Sequence, residues 1–140
     1  MSFSLIRNGT LIDGNGGIPV PNAAVLVDDT RIRAVGPAST LPLPNAETVE
    51  IDAGGGFILP GFIDTHVHLM LEGVNLACDM TAPFSLRFYN SAQYMRRTVE
   101  AGITSVRDAG GADAGVKQAV ESGLVLGPRM QISISVLTIT

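Results

Sequence analysis

The feature that most constrains this 140-residue chain is the alternation of strand and helix patterns that begins after residue 57. Short apolar runs at Phe62–His66, Ile103–Arg107 and Met130–Val136 predict three strands, and the segments between the runs predict two helices. Successive strands that are joined by helices lie parallel and are connected by right-handed crossovers. The second part of the chain is therefore predicted to begin an α/β fold with a parallel sheet.

Capping patterns indicate where the two helices begin and end. Ser91 is expected to cap the first helix and Gly102 to end it. Asp113 is expected to cap the second helix and Gly123 to end it. The segment from Leu69 to about Asn90 has few regular patterns and is predicted to be a long loop, and loops of that length are usually functional or disordered.

The first 57 residues carry strand and turn patterns only. Asn8-Gly9 is a dipeptide typical of tight hairpins and predicts a turn between two short strands. Asp28-Asp29-Thr30 predicts a second hairpin, and Thr48–Ile51 predicts a further short strand. We therefore expect residues 1–57 to form a small all-β module of the sandwich type, and residues 58–140 to form a second domain.

Composition and charge exclude several classes of function. The net charge is -4 and the 9 Lys and Arg residues are scattered, whereas nucleic-acid binding requires a basic stripe. The N-terminus lacks a signal-peptide pattern, and no apolar run reaches the roughly 18 residues of a membrane span. The single cysteine, Cys78, cannot form an internal disulfide and is expected to be a small buried side chain. We expect a cytoplasmic protein that binds neither nucleic acid nor a membrane.

The segment Leu59–His68 contains both histidines of the chain. Because side chains alternate between the faces of a strand, Asp64, His66 and His68 are expected to share one face, with the intervening odd-numbered residues toward the helices. Two imidazoles in this arrangement can bind one metal ion at about 2.0–2.1 Å. They also fall at the C-terminal end of the strand, where barrel enzymes build their active sites. An isolated His-x-His pair occurs equally among ordinary core or surface histidines, so both interpretations stay open on these residues alone.

The string Pro60–His68 resembles the Pro-Gly-hydrophobic-Ile-Asp-x-His-x-His signature on the first barrel strand of the amidohydrolase superfamily. Three earlier segments resemble the N-terminal β-module of that family: Asn8-Gly9, Val25–Asp28 and Arg31–Gly36. Ala101–Gly110 and Gly127–Arg129 resemble the branch that groups imidazolonepropionase-like proteins with metal-dependent Xaa-Pro dipeptidases and related carboxypeptidases. The resemblance covers nearly all of the chain.

The resemblance implies the start of a (β/α)8 TIM-like barrel, preceded by the all-β module, with residues 58–140 as its first three βα units. It implies that His66 and His68 are ligands of one or two divalent metal ions, with Zn²⁺ as the expected ion. The family's other ligands are a carboxylated lysine, two histidines and an aspartate from later strands, all expected outside this chain. Lys117, the only lysine, precedes the third strand, so it does not match the bridging lysine and is expected to be a solvated surface charge.

Three further polar residues each have two open roles. Asp64 either orients or anchors the metal site or is a buried carboxylate that stabilises a turn. Asp108 either contacts the site or caps the turn at Gly110-Gly111. Arg107 either binds a substrate carboxylate or forms a structural ion pair.

The implied activity is hydrolysis of a C–N (amide or peptide) bond by a metal-bound hydroxide, in a small-molecule amide or dipeptide substrate. An Xaa-Pro dipeptidase or carboxypeptidase-like enzyme is expected. The alternatives are a cyclic-amide hydrolase or deaminase of the same superfamily, and an inactive fragment without catalysis of its own. Since a barrel needs eight strands, we expect the isolated chain to be inactive. The choice between a monomer and a homo-oligomer stays open.

Overall fold

A computed structural model describes residues 2–71, 73 and 81–135 of the chain. The chain divides into two compact units, Met1–Pro60 and Gly61–Thr140, whereas the sequence placed the division after residue 57. Cys78, the end of the predicted third strand at Val136, and residues 72 and 74–80 of the predicted long loop lie outside the described residues. The loop prediction is wrong for residues 84–90, which are helical. Within the described ranges, no helix is long and apolar enough to cross a membrane.

The first unit is built around a mixed sheet of five strands. These are β1 (Phe3–Leu11), β2 (Val20–Asp28), β3 (Arg31–Pro37), β4 (Thr48–Asp52) and β5 (Phe57–Ile58). The order is β3-β2-β1-β4, and β5 also pairs with β1. β2 runs antiparallel to β1, whereas β4 and β5 run parallel to it. The all-β character is as predicted, and the described strands supply one layer of the expected sandwich.

The predicted hairpin at Asn8-Gly9 is wrong, because β1 continues through both residues. The register between β1 and β2 shifts between Ile6 and Gly9, and Asn8 has a φ of 59°, so the dipeptide belongs to a β-bulge. Before the bulge β1 pairs with β4, and after it β1 pairs with β5. Asn with positive φ suits a bulge as well as a turn, so the local pattern cannot distinguish the two.

The other predicted turn and strand of the first unit are confirmed. β2 and β3 pair antiparallel with Asp28 opposite Arg31, and Asp29 in the turn between them has a φ of 51°. The predicted strand Thr48–Ile51 corresponds to β4. Apolar side chains are buried in two clusters, Leu5, Ala24 and Leu26 in one and Leu11, Ala23, Val25 and Ile58 in the other. Successive residues of β2 alternate between the clusters, which places one cluster on each face of the sheet.

The second unit follows the predicted order of strand, helix, strand, helix and strand. Its elements are β6 (Phe62–Val67), α1 (Phe84–Glu100), β7 (Ile103–Asp108), α2 (Ala114–Glu121) and β8 (Arg129–Ile132). The three strands form a parallel sheet in the order β6-β7-β8. This is the α/β architecture that the sequence predicted for the start of a TIM-like barrel.

The predicted start of the first helix at Ser91 is wrong. α1 begins at Phe84 after Pro83, which as N-cap residue has no side-chain capping hydrogen bond. Ser91 and Met95, one turn apart, are the two buried residues of α1, so Ser91 faces the core instead of capping. Serine favours caps only by propensity, and burial of this helix face overrides that preference.

The remaining helix boundaries agree with the sequence. Gly102 follows the end of α1 with a φ of 87°, and Gly123 follows the end of α2 with a φ of 74°. The side chain of Asp113 accepts a hydrogen bond from the backbone N–H of Val116 at 2.9 Å, which caps α2. These three residues set the lengths of the connections between the parallel strands.

One face of the second sheet is packed against the helices, and the other is open among the described residues. Val106 and Met130 from the strands form a buried cluster with Met95 and Val116 from the helices. On the other face Ile63 is 71% exposed. The open face is the one that carries the candidate site.

Candidate metal centre

The two histidines lie together at the end of the first parallel strand. His66 is the penultimate residue of β6, and His68 is the first residue after it. The ring centres are 5.3 Å apart and the ring planes meet at 78°. Both rings line a cavity of about 510 Å³. The pair is therefore at the C-terminal end of the strand, where the sequence placed it.

The ends of the other two strands supply the rest of this cavity. Arg107 and Asp108 line it from β7, and Gln131 and Ser133 line it from β8 and the residues that follow. Gln131 lies opposite Arg107 in the parallel ladder. Gln131 was not predicted as a site residue, because nothing in the local sequence marks it and only the register between β7 and β8 brings it to the site.

β6 does not keep the simple alternation of faces that the sequence predicted. Asp64 lies opposite Val106 and Val67 lies opposite Asp108, so β6 has one residue more than β7 between these two pairs. Such an extra residue is a β-bulge, and it re-aims the side chains that follow. Asp64 is therefore on the side of the sheet where Val106 is buried, whereas His66 opens into the cavity.

The predicted faces are consequently wrong before the bulge. Ile63 and Thr65 were expected to face the helices, but they line a second cavity of about 540 Å³ with Ser105. Val67, which follows the bulge, packs against the core on the helix side as expected. A shift of one residue exchanges the two faces of a strand, and a bulge that depends on pairing with β7 is not visible in the sequence of β6.

Asp64 contacts the backbone of His66. Its carboxylate accepts a hydrogen bond from the His66 N–H at 3.0 Å. A bulge leaves backbone groups outside the regular ladder, and a short acidic side chain can pair one of them locally. Asp64 therefore anchors the residue that carries the first imidazole without touching the ring.

The ring of His68 is held by a backbone carbonyl. Its Nδ1 lies 2.9 Å from the carbonyl oxygen of Gly110. A carbonyl oxygen can only accept, so Nδ1 carries the proton in this bond and the lone pair of the neutral ring is on Nε2. An imidazole in this tautomer can bind a metal ion through Nε2.

Asp108 is fully buried at the end of β7. Its carboxylate accepts hydrogen bonds from the backbone N–H groups of Leu69 at 2.8 Å, Gly110 at 2.9 Å and Ala112 at 3.2 Å. Of the two roles that the sequence left open, the turn cap is therefore present. The bond to Leu69 is an addition, and it ties the turn to the residue next to His68.

Arg107 is exposed and lines both cavities of the open face. The ion pairs found among the described residues are Arg7–Glu50, Arg96–Glu100 and Lys117–Glu121. Arg107 therefore does not form the structural ion pair that was the alternative role, at least with the described part of the chain. Its guanidinium is available to an anionic group in the cavity beside the imidazoles.

The histidine pair fits a shared metal ion. Two imidazoles that bind one tetrahedral ion at ~2.0–2.1 Å hold their ring centres about 5 Å apart, which matches the observed separation. Within residues 2–71, 73 and 81–135, no group of three or more His, Cys, Asp or Glu side chains is placed to hold a metal ion. Lys117 is on α2, with its Nζ 3.7 Å from Glu121. A complete coordination shell therefore needs donors in addition to the described ones.

A parallel sheet with helices between its strands, and two imidazoles at the end of the first strand, is typical of barrel enzymes that use a metal ion. The family model described as the amidohydrolase family matches residues 57–140. The chain therefore belongs to the amidohydrolase family, whose members generally bind divalent metal ions. A second model, described as the imidazolonepropionase-like composite domain of bacteria, matches residues 23–42.

Similar proteins fall in the branch that the sequence indicated. An imidazolonepropionase from Mycolicibacterium smegmatis is 32% identical over 117 residues, which cover 84% of this chain and 27% of that protein. A crystal structure of an amidohydrolase has a TM-score of 0.82 at 40% identity and covers 96% of this chain and 32% of that one. A prolidase in complex with N-methylphosphonate-L-proline has a TM-score of 0.82 at 38% identity, covering 95% and 32%. The chain thus spans about a third or less of these proteins.

Proposed function

We propose that this chain carries the first part of the divalent-metal site of an enzyme that hydrolyses carbon–nitrogen bonds, with His66 and His68 as metal ligands. The observation that carries the proposal is the pair of imidazoles in one cavity, with ring centres 5.3 Å apart. Membership of the amidohydrolase family supports it. Zn²⁺ is the proposed ion, because imidazole nitrogen is one of its preferred ligands.

The residues of the chain hold and orient the ligands. When bound, a divalent ion would lower the pKa of a water molecule toward about 7 and would polarise the scissile carbonyl. The Gly110 carbonyl keeps the proton of His68 on Nδ1, so Nε2 retains the lone pair that coordination requires. Asp64 holds the backbone of His66 in the bulge, which limits the positions that its ring can reach.

For the substrate we propose an amide that carries a carboxylate near the scissile bond, such as an Xaa-Pro dipeptide. Arg107 lines the same cavity as both histidines and has no ion-pair partner among the described residues. A guanidinium binds a carboxylate through two parallel hydrogen bonds, which gives orientation as well as affinity. The similarity to a prolidase bound to a proline-containing phosphonate supports this substrate class.

A second candidate is hydrolysis of a cyclic amide, which the similarity to imidazolonepropionase favours. Deamination within the same superfamily is a third outcome to be tested. We further propose that the two predicted domains, 1–57 and 58–140, are a β-module of the sandwich type and the first three βα units of the barrel, with the boundary moved to Pro60 because Ile58 pairs with β1. The cytoplasmic location and the oligomeric state stay predictions.

The metal site is tested by titrating the chain with Zn²⁺ in a calorimeter. We expect binding by the wild type, and a loss of affinity of at least about tenfold for His66→Ala and for His68→Ala, because each substitution removes a ligand. Lys117→Ala is the matched control, since Lys117 pairs with Glu121 on α2, and it should leave the affinity unchanged. Equal Zn²⁺ affinity of the wild type and the double histidine variant would contradict the proposal.

The substrate class is tested on the protein encoded by the longest reading frame that contains these residues. We expect turnover of Xaa-Pro dipeptides, with Arg107→Ala raising KM for substrates that carry a carboxylate much more than for their amidated counterparts. Arg107→Lys should restore part of the difference, because it keeps the charge and loses the bidentate geometry. Preferential turnover of a cyclic amide would instead support a cyclic-amide hydrolase, and preferential turnover of an amino heterocycle would support a deaminase.

A further inference from the structure

A single buried carboxylate connects the ends of two neighbouring strands. Asp108 is the last residue of β7, and its side chain is 0% exposed. One oxygen, Oδ2, accepts from the N–H of Leu69, whereas Oδ1 accepts from the N–H groups of Gly110 and Ala112. A carboxylate that is removed from water requires such donors, because an unpaired buried charge costs several kcal/mol.

The groups that Asp108 holds flank His68 on two sides. Leu69 is the residue that follows His68, so the bond from its N–H fixes the backbone on which the imidazole is mounted. Gly110 is the residue whose carbonyl accepts from Nδ1 of His68. The N–H of Gly110 donates to the same carboxylate. The peptide unit before this glycine is therefore bonded to Asp108, and the peptide unit after it is bonded to His68. Asp108 thus determines both the position of the ring and the position of its hydrogen-bond acceptor.

We infer that Asp108 is a positioning residue that selects the Nδ1–H tautomer and the ring orientation of His68, and so presents Nε2 for coordination. The tautomer follows from the hydrogen bonds alone, and its use in metal binding rests on the proposed function. A turn cap without this role would stabilise residues 108–112 equally well, but it would leave the imidazole free to exchange its proton between the two nitrogens.

The tautomer can be measured without any metal ion. Long-range ¹H–¹⁵N correlation of the chain with ¹⁵N-labelled histidine distinguishes the two ring nitrogens and is recorded at a pH near 8.5. In the wild type we expect His68 to carry its proton on Nδ1, and we expect slow exchange of the Leu69 amide. A wild-type His68 that is protonated on Nε2 would overturn the inference.

Asp108→Asn is the informative variant, because it keeps the volume and replaces one carboxylate oxygen by an amide nitrogen, which cannot accept from the backbone N–H groups that it faces, whether at Leu69 or at Gly110 and Ala112. We expect a mixture of His68 tautomers and faster exchange of the Leu69 amide. Asp113→Ala is the matched control: it removes the cap of α2 in the same connection and lowers stability without a bond to the residues around His68. A folded Asp108→Asn chain with an unchanged His68 tautomer would show that Asp108 only caps the turn.

If Asp108→Asn does not fold, the wild-type spectra decide, since Nδ1–H together with a protected Leu69 amide supports the inference and Nε2–H overturns it.

Zn²⁺ titration separates this inference from the proposed function. We expect Asp108→Asn to weaken Zn²⁺ binding by about 10–100-fold, the usual effect of losing a group that orients a ligand. If the wild type shows the expected tautomer but binds no Zn²⁺, the proposed function fails and the positioning role stands. If Asp108→Asn binds Zn²⁺ as the wild type does, the positioning role fails alone.

Discussion

The β-bulge at Asn8 in the first sheet and the β-bulge between Asp64 and Val67 in the second sheet have different consequences. In the first unit, the bulge at Asn8 lies between the part of β1 that pairs with β4 and the part that pairs with β5. In the second unit, the extra residue between Asp64 and Val67 directs His66 into a cavity. A bulge inside a sheet adjusts packing, whereas a bulge at a strand end next to a cavity can aim a functional side chain.

The two bulges are also held in different ways. Asn8 bonds across strands, because its Nδ2 donates to Asp52 at 2.7 Å and its carbonyl accepts from Gly55 at 2.7 Å. Asp64 bonds locally, to the N–H of His66 two residues further on. Losing the bond from Asn8 to Asp52 should therefore loosen the pairing of β1 with β4. Losing the bond between Asp64 and the His66 N–H should chiefly release His66, the proposed ligand.

The largest expected effect is on the packing of the first bulge. A Cβ at Gly9 would lie 2.8 Å from Cγ1 of Ile58 and 3.0 Å from the carbonyl oxygen of Gly56, so Gly9→Ala should destabilise the first unit by about 1–3 kcal/mol. Amide exchange of the β1 residues in increasing urea measures this. Gly17→Ala is the control, since nothing lies within 4 Å of its Cβ position, and it should have little effect. Equal effects of the two substitutions would mean that the close approach at Gly9 is absent.

The second prediction opposes the two bulges directly. Asp64→Ala should cost about 1 kcal/mol of stability and weaken Zn²⁺ binding by about tenfold, because the backbone of His66 is released. Asn8→Ala should cost a similar free energy with no change in Zn²⁺ affinity, because Asn8 is in the other unit. Urea unfolding measures the stability of both variants, and calorimetry measures their Zn²⁺ affinity. Equal Zn²⁺ affinities in the two variants would remove the functional difference between the bulges.

A smaller change in the free energy of unfolding is expected for a substitution on the packed face of the second unit. The Oγ of Ser91 is buried and has no hydrogen-bond partner within residues 2–71, 73 and 81–135, so Ser91→Ala should raise the free energy of unfolding by up to about 1 kcal/mol. Ser85→Ala, on an exposed position of the same helix, reports the gain from helix propensity alone. Urea unfolding compares the two. A decrease in stability for Ser91→Ala would indicate that the hydroxyl is paired in solution.

The smallest effect concerns the pH dependence of the first bulge. The backbone N–H of Gly54, followed by the side chain of Asn8, holds the pKa of Asp52 below its usual range. A lowered folded-state pKa contributes stability that is present above the unfolded-state pKa of about 3.9 and is lost as the pH falls through the folded-state value. Asp52→Asn should therefore make acid unfolding less steep below pH ~4. A carboxyl-carbon titration by NMR that gives Asp52 an ordinary pKa would contradict this.

Elements that depend on local chemistry were predictable. The turn at Asp29, the cap at Asp113 and the ends of both helices at Gly102 and Gly123 each follow from the φ preference or hydrogen-bonding capacity of one residue. The order of strands and helices after residue 57 follows from apolar periodicity. The amidohydrolase family followed from the motif that ends at His68.

Elements that depend on a partner elsewhere in the chain were not predictable in this way. Asn8-Gly9 is a dipeptide typical of hairpin turns, but the pairing of β1 with β2, β4 and β5 makes it part of a bulge. Serine is a common capping residue, but Ser91 is buried inside α1. The face of Asp64 was assigned by alternation, and the register with β7 reversed it.

The sequence by itself determined the identity and spacing of the two histidines, the parallel α/β character of their surroundings and the family. The first two follow from residue type and periodicity, which are local, and the family follows from the resemblance of the motif Pro60–His68 to a known signature. Only the tertiary structure decided which way Asp64 faces, which nitrogen of His68 is free and that Asp108 connects β7 to Leu69. The physical reason is that register, tautomer and burial are set by hydrogen bonds between residues about forty positions apart, and such pairings exist only after the strands are side by side.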